Sequence, residues 1–143
     1  MKARVLVKDV TGSRDGKRKV KRLAEEALSA LGLKDREVSV LLTGNGGIRE
    51  LNRLYRKVDR PTDVLSFPME DQQMLGDVVI SIERVYAQAG DYGVTPGEEL
   101  SRVLVHGILH LLGYDHVTGG RQARRMREKE AELMTGLKKK GCF

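Results

Sequence analysis

The sequence predicts an α/β domain, a mixed sheet of about four strands with helices packed on it. Three observations carry this reading. Short apolar runs of strand length alternate with longer stretches at helical spacing, Gly and Pro stand at the junctions, and no segment repeats or reads as an interdomain linker. At 143 residues the chain is long enough to bury roughly two-thirds of its unfolded surface. A single domain over residues 1–143 is therefore expected.

The first strand is expected at residues 3–8 (ARVLVK), where apolar and charged side chains alternate. After the turn residues Thr11-Gly12-Ser13, residues 16–31 place Val20, Leu23, Ala24, Ala27, Leu28 and Leu31 at helical spacing, and Gly32 closes that helix. Residues 37–43 (EVSVLLT) form the second strand. Gly44 to Gly47 turn the chain into a helix carrying Ile48, Leu51, Leu54 and Tyr55, which Pro61 keeps from continuing. Residues 63–67 (DVLSF) and 75–82 (LGDVVISI) are the remaining strands, the latter nearly continuous in apolar residues and so central. A helix over about 82–90 precedes the loop Asp91-Tyr92-Gly93. The helix at 96–112 has the best-marked start: Thr95 caps it, Pro96 suits its first position, and Glu98 completes a capping box. Gly113 ends it. A last helix over roughly 119–136 has Ala123, Met126, Ala131, Leu133 and Met134 among its apolar residues.

Lys and Arg outnumber Asp and Glu by 26 to 20, a net charge of +6 that favours polyanionic partners. Basic residues cluster at 17–22, at Arg121, Arg124, Arg125 and Arg127, and at 138–140. Each cluster alone reads more readily as a solvated helix face or frayed end; only their sum leans toward nucleic acid. The opening MKARVLVKDV is too short and polar for a signal peptide, and no apolar run approaches the roughly 18 residues of a membrane span. The single cysteine, Cys142, excludes a disulfide framework. A soluble cytoplasmic protein with no membrane partner is expected.

All three histidines fall within eleven residues, HGILHLLGYDH, as His-x3-His-x5-His. Positions four apart share a helix face, so His106 and His110 can direct two imidazoles at one ion, and Gly113 provides the exit that brings His116 round as third ligand. Three neutral imidazoles with a fourth place left for water match a catalytic zinc site rather than a structural one. One Zn2+ is the expected cofactor. Asp115 either accepts a hydrogen bond from a ligand imidazole or simply turns the chain. The spacing also matches the metzincin protease signature, glycine included, except that the general-base glutamate of that signature is replaced here by Gly107. Metal geometry is shared; peptide hydrolysis is not expected.

HGILHLLGYDH, together with LNRLYRKVDRPTDVLSFP and LGDVVIS, resembles the YbeY family of ribosomal-RNA maturation factors, and MREKEAELM continues the likeness. The resemblance implies a zinc-dependent endoribonuclease that acts on single-stranded RNA and takes part in trimming rRNA ends and in ribosome quality control; rRNA is the expected partner and ribosomal proteins a further candidate. It implies His106, His110 and His116 as metal ligands and Arg56 as the arginine facing the RNA phosphate. Read from chemistry alone, Arg56 is either a surface arginine at a helix end or a bidentate phosphate ligand. Asp59 and Asp63 read as turn caps around Pro61; Asp77 reads as a turn carboxylate, a partner for a ligand imidazole or a base. The sequence departs from similar ones at Gly46 and Gly47 and in the link MEDQQM, which is expected to border the site. The competing function is a zinc-stabilised module that binds rRNA or the ribosome without cleavage.

Overall fold

The computed structural model describes residues 4–12, 16–114 and 120–143. The elements are β1 (Arg4–Asp9), α1 (Gly16–Ala30), β2 (Glu37–Thr43), α2 (Asn45–Arg56), β3 (Val64–Pro68), β4 (Met74–Ser81), α3 (Ile82–Tyr92), α4 (Pro96–Leu111) and α5 (Gly120–Lys139). They form a four-stranded mixed sheet in the order β1-β2-β4-β3. β1, β2 and β4 run parallel, while β3 pairs antiparallel with β4 at the edge. The expected fold class and the internal position of the fourth strand both match the structure.

Because side chains alternate across a strand, each strand feeds two faces. Val5, Val38, Val40, Leu42, Val78 and Ile80 are buried on one face, in the core they share with α1, α4 and α5. The other face is packed by α2, where Ile48, Leu65 and Val79 form a smaller apolar cluster.

Several boundaries differ from the sequence reading. α3 continues through Tyr92, because the residue that terminates it is Gly93, whose φ of 68° suits the left-handed cap. α5 runs on to Lys139 and buries Leu137, whereas Ala131 faces solvent. In α2 the inward residues are Ile48 and Asn52; Leu54 and Tyr55 are exposed. Asn52 is tolerated inside because its side-chain amide donates to the Arg60 carbonyl at 2.9 Å. Before Pro61 is reached, α2 has already stopped at Lys57, a left-handed residue with φ 58° whose N–H bonds back to the Asn52 carbonyl.

α4 begins as anticipated, with the Thr95 hydroxyl accepting the Glu98 N–H at 3.1 Å and Pro96 in its first turn. Midway, Gly107 lets this helix lie against the sheet. A Cβ at this position would stand 2.8 Å from Val78 Cγ1 and 3.1 Å from Val64 Cγ2, both on the sheet behind the helix. Gly107→Ala is therefore expected to overpack the α4–sheet contact and lower stability by about 1–3 kcal/mol. Denaturant unfolding checks this, and an unchanged midpoint would contradict it. A glutamate here would meet the same wall, so peptidase activity is not expected from Gly107→Glu.

Candidate active site

The close approach at Gly107 sets His106 and His110 on the side of α4 that faces an open cleft. Their rings lie 4.7 Å apart between centroids at 66°, and their Nε2 atoms are 3.1 Å apart. Two nitrogens each about 2.0–2.1 Å from one tetrahedral ion stand about 3.3 Å apart, so the pair has the separation of a chelate. On the other side of the His106 ring, Nδ1 meets Glu130 Oε1 of α5 at 3.2 Å. A carboxylate that accepts from Nδ1 would leave the Nε2 lone pair directed toward His110. Two imidazoles at this separation, one of them held by a carboxylate, are donors that suit zinc, although among the described residues no set of three ligands is assembled.

His116 and Asp115 lie outside the described residues. Up to that point the chain behaves as the motif requires: Gly113 adopts φ 92°, its N–H bonds to the His110 carbonyl at 3.0 Å, and Tyr114 N–H bonds to the Leu109 carbonyl at 3.1 Å. The glycine thus turns the chain sharply at the end of the histidine helix.

Arg56 reaches the same cleft from the end of α2. Its Nη2 donates to the Ser66 carbonyl at 2.7 Å, and its guanidinium carbon lies 5.6 Å from the centre of the Phe67 ring. The Ser66 hydroxyl, on the opposite side of β3, donates to the Gly107 carbonyl at 3.0 Å. Arg56, β3 and the histidine helix are therefore tied in one chain of hydrogen bonds. The cleft has a volume of about 540 Å³, and Arg56, Asp63, Ser66, Arg102, His106 and His110 are among its lining residues.

A second guanidinium borders it, held from behind. Glu99 is 2% exposed and accepts from Arg102 Nε at 2.9 Å and Nη2 at 2.6 Å, and from Gln88 Nε2 at 2.7 Å. Gln88 also donates to Asp63 Oδ2 at 3.3 Å. The buried carboxylate is thus satisfied, as burial demands. The hydrogen bond to Glu99 is the largest cause of a raised Arg102 pKa, opposed by burial and reinforced by the charges of Glu99, Glu130 and Asp63.

Asp63 is therefore part of the cleft wall as well as of the turn, while Asp59 pairs with Arg49 at 2.8 Å in solvent. Asp77 is not beside the histidines. It lies in mid-strand on the α2 side of the sheet, whereas its neighbour Val78 is the residue beneath Gly107. The link from β3 to β4 follows Pro68, which lines the cleft. Glu130, Ser66, Glu99 and Arg102 escaped the sequence reading. Glu130 looks like any charge in an Arg- and Glu-rich helix, and only the packing of α5 on α4 brings it to His106.

A family model described as "Endoribonuclease YbeY" matches residues 7–138. Among relatives of that name, the one from Aquifex aeolicus is 49% identical over 142 residues, covering 96% of this chain and 94% of its own. The one from Geobacter metallireducens is 44% identical, covering 88% and 89%. The solution structure of TM1509 from Thermotoga maritima matches with a TM-score of 0.66 at 33% identity, over 92% of this chain and 86% of that one. Among the described residues, no helix is long and apolar enough to cross a membrane. With a match across nearly its whole length and relatives this similar, the chain belongs to the endoribonuclease YbeY family.

Proposed function

We propose that this protein is a zinc-dependent endoribonuclease that cleaves single-stranded RNA, with ribosomal RNA as its substrate. The endoribonuclease activity follows the family. The observation that carries the metal-dependent reading is the pair of Nε2 atoms 3.1 Å apart in the cleft that Arg56 also lines. His106 and His110, with His116, would hold the ion, and Glu130 would keep His106 in the coordinating tautomer. When bound, zinc lowers the pKa of water toward neutrality and polarises a phosphoryl oxygen. Arg56 binds the phosphate oxygens, anchored by the Ser66 carbonyl so that its remaining N–H groups need little reorganisation as charge develops. Arg102 adds positive charge on the cleft wall.

The rRNA substrate, the place in rRNA maturation and ribosome quality control, contacts with ribosomal proteins and a cytoplasmic location rest on the sequence blocks shared with the family and on the net charge of +6. A binding module without cleavage would be expected to pack water away from its metal. His106 instead keeps 22% of its side chain exposed beside an open cleft. Incubating the protein with single-stranded and duplex RNA, with and without a chelator, tests the proposal: chelator-sensitive cleavage of the single strand supports it, and binding without cleavage by zinc-loaded protein replaces it with the module.

Glu130→Gln is expected to weaken zinc binding about 10- to 100-fold while leaving the fold intact, because it removes the carboxylate that orients His106. Competition against a chromogenic chelator measures this. Wild-type affinity in the variant would remove Glu130 from the site.

A further inference from the structure

We propose that the open half of the α2-side sheet face is a base-binding groove, which seats an unpaired nucleotide of an RNA strand whose backbone continues over Arg56 into the histidine cleft. The proposal rests on the ribonuclease reading and adds to it where the base goes. The groove has a volume of about 470 Å³, within the range of ligand sites, and its lining includes Lys8, Ser39, Leu41, Tyr55, Phe67 and Asp77. α2 covers the neighbouring Leu65 and Val79, but Tyr55 is 67% exposed and Leu6, on the same face of β1, is 53% exposed. Large apolar side chains left this open at both edges of one sheet face need a reason.

Three observations favour a nucleotide. Tyr55 and Phe67 meet edge to face at 5.5 Å and 67°, which leaves aromatic surface for a flat ring to stack on. Ser39 and Asp77 are register neighbours on adjacent strands, supplying a hydroxyl and a carboxylate for the polar edge of a base, while Lys8 supplies charge for a phosphate. Finally, the groove and the proposed active site lie on either side of one edge strand. β3 is the wall between them: Phe67 faces the groove, Ser66 faces α4, and Arg56 lies over Phe67 while lining the histidine cleft. A base held in a duplex cannot reach such a platform, so the groove selects unpaired strands.

The test is the binding of a short, cleavage-resistant 2′-O-methyl RNA to the zinc-loaded protein, followed by fluorescence anisotropy. Tyr55→Ala is expected to weaken binding about tenfold, Tyr55→Phe to bind like the wild type, and a strand with abasic positions to show no difference between wild type and Tyr55→Ala. Since Tyr55 is exposed, the fold should persist, and a thermal melt confirms it. Wild-type binding by Tyr55→Ala overturns the groove, as does a loss equally large for the abasic strand. If wild-type protein cleaves RNA in either of those cases, the ribonuclease reading survives without the groove. If the wild type neither binds nor cleaves, both fall.

Discussion

His110→Ala is expected to lose the zinc ion and with it all detectable RNA cleavage, while the domain stays folded. The loss should be total because the site depends on a chelate. The Nε2 atoms of His106 and His110 are 3.1 Å apart, so on the proposed reading they would engage one ion from a single rigid helix with almost no ordering left to do. Without His110 the ion would depend on His106 and a residue beyond the turn at Gly113, too loose an arrangement to fix its position. Stability should change little, since His110 is part-exposed and its neighbours Ile108 and Leu109 supply the buried contacts of this turn. Metal analysis, circular dichroism and cleavage on the same preparation decide the matter. Wild-type cleavage by metal-free variant would mean that the histidines are not the active site.

Arg56→Ala should give the second largest effect, a loss on the order of a hundredfold in cleavage rate, about 3 kcal/mol, with zinc content and fold retained. The side chain is exposed and makes its hydrogen bond to a backbone carbonyl, so neither the core nor the metal depends on it. Arg56→Lys should restore only part of the rate, because an ammonium cannot both hold the Ser66 carbonyl and fork onto a phosphate. Wild-type binding to RNA should weaken as salt rises, with a shallower slope in the alanine variant, since one fewer cation displaces counterions. A wild-type rate in Arg56→Ala would place the phosphate elsewhere, with Arg102 the next guanidinium to replace.

Much of this architecture is legible along the chain because its signals are local. Thr95, Pro96 and Glu98 mark the start of the histidine helix, Gly113 marks its end, and the spacing of His106 and His110 already implies a shared face. What periodicity cannot reveal is which element lies opposite. Glu130 stands 24 residues beyond His106, and nothing in its own helix distinguishes it from its charged neighbours. The sequence also marks Leu54 and Tyr55 as apolar positions of α2, but the burial falls on Ile48 and Asn52, which lie four apart on the face toward the sheet, while Leu54 lies off that face and Tyr55 stands in the last turn. Asp77 shows the same limit. Its place after Gly76 invites a role near the metal, yet strand alternation sends it to the opposite face from Val78, and only the docking of α4 decides which face holds the histidines.

One metal ion and RNA cleavage are expected to depend on each other. The most direct measurement is zinc content by elemental analysis, paired with cleavage of single-stranded RNA by the same protein before chelation, after chelation and after zinc is restored. About one zinc per chain, activity abolished on its removal and recovered on its return, is the predicted result. Undiminished cleavage by zinc-free protein, or intact RNA in the presence of fully loaded protein, would contradict it.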